Sequence, residues 1–169
     1  MIIENKIGYS YKDVTIVPSD TSKVMSRKNV NPFDVHGKLP IFTAPMSCVV
    51  NQNNCNLFEN NNIYVVIPTT VYLETRINML FTGDKFISFS ISEAQQLVVN
   101  EESQSRFKEF ETYRICIDCA NGHMEYLLSI CDQIKEFAAK HNCHIEIMTG
   151  NIANPNSYIE YNKHKIDYV

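Results

Sequence analysis

From Leu39 onward the chain alternates short apolar runs with longer amphipathic stretches. The runs cover 41–44, 63–67, 86–91, 115–117 and 145–148. Each is rich in β-branched or aromatic residues and ends in a polar, Gly, Pro or Asn turn. Runs of this length and content predict buried strands. Between them, 124–140 places Tyr126, Leu127, Ile130, Ile134, Phe137 and Ala138 on one face at helical spacing, with Glu125, Asp132, Lys135, Glu136 and Lys140 elsewhere, which predicts an amphipathic helix. Shorter helices are predicted over 51–61, 73–81 and 92–99. Asn154-Pro155-Asn156-Ser157 reads as the capped start of another.

The strand starts fall near 41, 63, 86, 115 and 145, giving intervals of 22, 23, 29 and 30 residues. Repeated βα units of that length predict parallel strands joined by right-handed crossovers. A closed (β/α)8 TIM barrel averages about 31 residues per unit over about 250 residues. The fold expected is therefore α/β: a partial (β/α)8 barrel of about five βα units, with Lys165-Ile166-Asp167-Tyr168-Val169 as the opening of a sixth strand. A flavodoxin-like sheet with the sixth run at its edge is the alternative. The first forty residues show no sustained period, so the expected organisation is an arm over 1–38 and one domain over 39–169.

Composition narrows the partners. Of 169 residues, 44% are hydrophobic and 20% charged, and nine Tyr and nine Phe exclude a disordered chain. A net charge of −4 without any Lys/Arg cluster argues against nucleic acid. No apolar stretch reaches the ~18 residues of a membrane span. The start, with Glu4 directly after Ile2 and Ile3, does not read as a secretory signal, so a cytoplasmic protein is expected. Six cysteines at irregular spacing then read as reduced and mostly buried thiols. Cys116 and Cys119 form a C-x-x-C, but on a strand those positions point to opposite faces, and His141 and His144 lie at the wrong spacing for a zinc finger. No metal site is expected.

In either architecture, ligands meet the C-terminal strand ends. These ends carry Ala44-Pro45-Met46-Ser47, Pro68-Thr69-Thr70, Ser90-Ile91-Ser92, Asp118-Cys119-Ala120-Asn121-Gly122-His123 and Thr149-Gly150-Asn151-Ile152-Ala153. The last two are the richest in amides, glycines and charge, which suits recognition of a polar ligand. Plainer readings stand beside this: Asp118 as a helix cap, Asn121-Gly122 as an ordinary turn, His123 as a helix-start residue, Met46 as core filler.

Several of these motifs, in order and spacing, resemble the IMP dehydrogenase / GMP reductase family. They are Tyr11-Lys12-Asp13-Val14 through Pro18-Ser19, Leu39-Pro40-Ile41 leading to Ala44-Pro45-Met46, Ile117-Asp118-Cys119-Ala120-Asn121-Gly122-His123, Thr149-Gly150-Asn151-Ile152-Ala153, and Ile166-Asp167-Tyr168-Val169. The resemblance covers nearly the whole chain. It implies a TIM-barrel oxidoreductase of purine metabolism, usually tetrameric, that transfers hydride between NADP or NAD and a purine nucleotide (GMP or IMP) held as a covalent cysteine adduct. The short path from Thr70 to Phe86 leaves no room for a CBS insertion, so the chain is more similar to GMP reductase.

The resemblance also implies roles for individual residues. Ala44, Met46 and Asn151 would touch the purine nucleotide. Asp118, Cys119, Ala120, Asn121 and Gly122 would bind the cofactor, and Ser26 and Arg27 would reach the cofactor of a neighbouring subunit. Thr69 stands where the reductases carry a basic residue. The family's catalytic cysteine lies on the loop after the sixth strand, so no catalytic residue is expected within these 169 residues, and the chain alone is expected to be inactive. The alternative is a non-catalytic nucleotide-binding or assembly module built from a partial barrel.

Overall fold

The structure, a computed structural model, describes residues 12–15, 17 and 20–169. Tyr11, Pro18 and Ser19 of the entry motif lie outside the described residues. The chain divides into two compact units, Met1–Pro32 and Phe33–Val169. In the first, a 3-10 turn spans Arg27–Asn29, and Ser26 Oγ accepts a hydrogen bond from the Lys28 amide at 3.3 Å.

The second unit runs β1 (Leu39–Phe42), α1 (Cys55–Glu59), β2 (Ile63–Tyr64), β3 (Val66–Ile67), α2 (Leu73–Leu80), β4 (Phe86–Phe89), α3 (Ile91–Val99), α4 (Glu101–Gln104), β5 (Thr112–Asp118), α5 (Glu125–Lys140), β6 (His144–Gly150) and α6 (Pro155–Lys163). Every strand pair among the described residues is parallel. β1 pairs with β2, and β3, β4, β5 and β6 follow in strict sequence order. A flavodoxin-like sheet reverses its strand order at a switch point. This one does not, so the chain winds in one sense only.

The two faces of the sheet differ accordingly. Ile87, Phe89, Ile115, Ile117, Ile145 and Ile147 face the helices, where Leu127, Ile130, Cys131, Ile134, Phe137 and Ala138 of α5 meet them. Truncating one of these aliphatic side chains to Ala would cost about 2–5 kcal/mol. The opposite face holds Tyr64, Val66, Phe86 and Cys116, packed with Phe42, Met148 and Tyr168. There Phe42 stacks on Tyr64 at 4.7 Å between centroids, and Tyr168 meets Phe86 edge-on at 5.2 Å. Ion pairs lie at the N-terminal strand ends. Arg114 pairs with Asp84 and, at 2.6 Å, with Glu146, while Lys38 reaches Asp84 at 2.9 Å.

Several expected boundaries move, each for a local reason. The run 63–67 is two strands rather than one: the buried Thr43 hydroxyl accepts the Val66 amide at 2.9 Å in place of a ladder bond. The run 86–91 stops at Phe89, because Ser90 and Glu93 form a capping box that starts α3 at Ile91. The short α4 was not foreseen; Asn100 caps it by accepting the Ser103 amide. Tyr126 does not join the buried face of α5, since its hydroxyl is drawn outward to Gln95, and Cys131 packs there instead. The sixth strand is reduced to one parallel bridge, Met148 with Tyr168.

The first strand is not buried as expected: Ile41 is 53% exposed. Among the described residues β1 has a neighbour on one side, and Leu39 and Thr43 send their amides to that side. Pro40, between them, has no N–H to offer at the open side, a common way to blunt an edge.

Candidate functional site

The C-terminal strand ends form a rim whose order follows the strands: 44–46, 68–71, 90–92, 118–123 and 150–153. Asp118 is the last residue of β5, in register with Gly150. Its carboxylate is exposed and has no hydrogen-bond or ion-pair partner among the described residues. It does not cap α5: the N-cap position is Met124, which makes no side-chain bond there. The plain reading of this aspartate therefore fails.

The loops after β5 and β6 are laced together by backbone. Asn151 N–H donates to Cys119 O at 3.1 Å, and Gly122 N–H donates to Asn151 O at 2.9 Å. Asn121 Oδ1 accepts the His123 amide at 3.0 Å, an Asx-type turn. His123 is a tie between loops rather than a helix-start residue. Its Nε2 accepts the Ala153 amide at 3.1 Å, so in the neutral ring Nδ1 carries the hydrogen and faces Ser157 Oγ at 3.0 Å. Asp118, Cys119, Ala120, Asn121, Gly122 and Asn151 are thus brought together.

The remaining predicted residues sit elsewhere. Ala44 and Met46 are exposed at the β1 end of the rim, where the Met46 amide donates to Ala44 O at 2.7 Å, so Met46 is not core filler. They are the first of the rim in strand order, but Phe42 of the same strand packs across the inner face with Met148 of β6, and its ring centroid lies 5.4 Å from that of Tyr168. Ser26 and Arg27 belong to the first unit.

The cysteines split by environment. Cys55, Cys116 and Cys131 are buried, Cys119 and Cys143 half-buried, and Cys48 exposed, so burial covers three of the six rather than most. Burial pushes the Cys116 and Cys131 thiols up to about 12. The Cys119 thiol is raised by burial and by the charge of Asp118, and it donates to Gly150 O at 2.9 Å. A thiol held protonated in this way is a poor nucleophile. Cys116 and Cys119 lie on opposite sheet faces, as strand periodicity requires. Among the described residues, no group of three His, Cys, Asp or Glu side chains is placed to hold a metal ion, and no helix is long and apolar enough to cross a membrane.

Sequence reading missed one rim element. Arg76 of α2 is buried, and its guanidinium reaches Val71 O, Ser88 O and the Glu93 carboxylate. The Ser90/Glu93 spacing of a capping box was legible; the arginine's inward turn was not. A cavity of about 380 Å³ lined by Gly122, His123, Glu125, Ser157, Tyr161 and His164 lies between α5 and α6 and borders the 118–123 segment of the rim.

With this geometry in view, one solved structure is informative. The crystal structure of inosine 5'-monophosphate dehydrogenase from Legionella pneumophila matches 92% of this chain with a TM-score of 0.63 and 21% identity. That likeness is one of fold. The chain is α/β and forms part of a (β/α) barrel, with the aromatic cluster on the inside and the helices outside. It covers 48% of the matched chain, about half its length. Neither a protein-family profile nor a curated protein matches the sequence.

Proposed function

We propose that the chain is the first part of a purine-nucleotide oxidoreductase of the IMP dehydrogenase / GMP reductase type, closer to GMP reductase, acting in the cytoplasm. The observation that carries this reading is positional. The motifs that resemble the family, Ala44-Pro45-Met46, Asp118 to His123 and Gly150-Asn151, all fall at strand ends of one barrel rim, and the Asp118 carboxylate there is exposed and has no partner among the described residues.

A carboxylate without a protein partner fits the hydroxyl groups of a ribose, which donate hydrogen bonds that only an acceptor can take. In this reading Asp118, with Cys119, Ala120, Asn121 and Gly122, holds the nicotinamide end of NADP or NAD. Ala44, Met46 and Asn151 hold the purine nucleotide, GMP or IMP. The cofactor, when bound, supplies the acceptor or donor of hydride. The chain's own contribution is orientation: the backbone lacing of Cys119, Gly122 and Asn151 fixes the loop beside Asp118. The arm over 1–38 brings Ser26 and Arg27 to the cofactor of a second copy within a homo-oligomer. Thr69 leaves the second strand end without the reductases' basic group.

The covalent step needs a thiolate, and the half-buried Cys119 thiol beside Asp118 is raised rather than lowered. The 169 residues are expected to bind ligand without turnover.

Titration of the chain with IMP, GMP, NADP and NAD, followed by NMR or calorimetry, tests the reading. Binding that weakens about tenfold or more in Asp118→Asn for the dinucleotide, but not for the mononucleotide, supports it. Absence of any nucleotide binding, with the chain still associating with itself, would favour the assembly module instead.

A further inference from the structure

Arg76 is 3% exposed, and its donors reach the turn after β3, the end of β4 and the first turn of α3. Nε donates to Val71 O at 2.8 Å, in the turn between β3 and α2. Nη1 donates to Ser88 O at 2.6 Å, near the end of β4, and to Glu93 Oε2 at 3.1 Å; Nη2 donates to Glu93 Oε1 at 2.8 Å. The same Glu93 accepts the Ser90 amide at 2.8 Å, and Ser90 Oγ accepts the Glu93 amide at 3.3 Å. The guanidinium also lies over the Phe89 ring at 5.3 Å. One planar fork therefore joins two neighbouring strand ends and the first turn of a helix.

An ion pair whose arginine is buried, with a half-buried carboxylate, is a poor device for stability alone, since apolar side chains of similar size commonly serve as well or better. What the fork adds is direction: planar donors fix several acceptors at once, which a lysine or an aliphatic side chain does not. The two turns it joins stand, by strand order, between Ala44/Met46 on one side and Asp118 on the other.

We propose that Arg76, held by Glu93, is a positioning residue of the rim: it sets the 68–71 and 90–92 turns in the arrangement a bound nucleotide meets. The link to a nucleotide rests on the functional reading above; the positioning itself does not. Removing the fork leaves the sheet and the α5 core in place while the two turns lose their fixed separation.

The test is residue-resolved hydrogen exchange on the whole 169-residue chain, with Arg76→Met, Arg76→Lys and Glu93→Gln beside the parent, and IMP titration in parallel. In Arg76→Met the Val71 and Ser90 amides are expected to exchange about tenfold faster or more, while Ile117 and Ile147 change by less than about twofold. Arg76→Lys, able to reach some acceptors but not all, should fall between. Nucleotide affinity should fall in the same order. Equal acceleration throughout the chain, or none at Val71 and Ser90, overturns the proposal and leaves the pair as fold stability only. Should Arg76→Met not fold, Glu93→Gln, which keeps the carbonyl bonds, must still loosen Ser90 selectively or the proposal fails. If the parent binds no nucleotide while the exchange pattern holds, the functional reading falls and the positioning role stands.

Discussion

The Tyr161 hydroxyl occupies the place a side chain on Gly122 would need. A Cβ built on Gly122 would sit 2.5 Å from Tyr161 Oη and 2.8 Å from Asn151 O. Tyr161, buried on α6, donates to Gly122 O and so ties that helix to the loop after β5. The close approach requires glycine at this position.

Gly122→Ala is accordingly expected to destabilise the chain by about 1–3 kcal/mol, through displacement of the Asn151 backbone. Tyr161→Phe removes one hydrogen bond and should cost about 1 kcal/mol. Urea unfolding of both variants and of their combination checks this. The double variant should stay below the parent, because Asn151 O still crowds the new methyl. A Gly122→Ala chain as stable as the parent would refute the packing described.

Acid should act on the Arg76–Glu93 pair. Its hydrogen bonds to Arg76, followed by the Ser90 amide, hold the Glu93 carboxyl below the usual glutamate range. In the unfolded chain this group protonates near pH 4, at about 4.3. The stabilisation is therefore present above that value and is lost as pH falls through the lower folded one. Chemical denaturation from pH 7 to 3 should show stability falling below about pH 4.5, with a shallower slope in Glu93→Gln. Identical slopes would place the acid sensitivity elsewhere.

Thiol labelling should follow burial and charge. Cys48 is exposed, whereas Cys116 and Cys131 are buried with their thiols pushed up to about 12. Under native conditions at pH 8, iodoacetamide should modify Cys48 first and leave Cys116 and Cys131 intact until global unfolding. Mass spectrometry over time reads the order. Early modification of Cys116 would mean that the aromatic inner face opens.

The open flanks of the sheet should make the chain associate. Ile41 on β1 and Leu57 on α1 are 53% and 64% exposed, and Tyr158 and Ile159 on α6 are 63% and 62% exposed. Such residues on an edge strand and on outer helices drive self-association. Light scattering is expected to show mass rising with concentration, and a charge at the edge, Ile41→Lys, should reduce it. A monodisperse monomer over a broad concentration range would contradict this.

The apolar runs and their spacing determined the element types and, through the crossover lengths, the parallel pairing, because strand and helix periodicities are local properties of side-chain placement. The sequential strand order was settled only by the structure. Ile115, Ile117, Ile145 and Ile147 could only be strand positions facing a helical layer, and Leu127, Ile130 and Ile134 only the helix meeting them. The rim residues were legible for the same reason: a residue following a strand end lies at the rim wherever the strand lies.

Other features depended on partners distant in sequence. Thr43 splits the second run because its hydroxyl meets Val66, and Arg76 turns inward because Ser88 O and Glu93 await it. Tyr161 reaches Gly122 across 39 positions. Hydrogen-bond geometry is short-ranged and directional, so which donors find which acceptors is settled only once the crossovers have stacked helix on sheet. The faces a sequence pattern marks as apolar become inside and outside of a barrel by that stacking, and the same step left Ile41 uncovered and Asp118 open at the mouth.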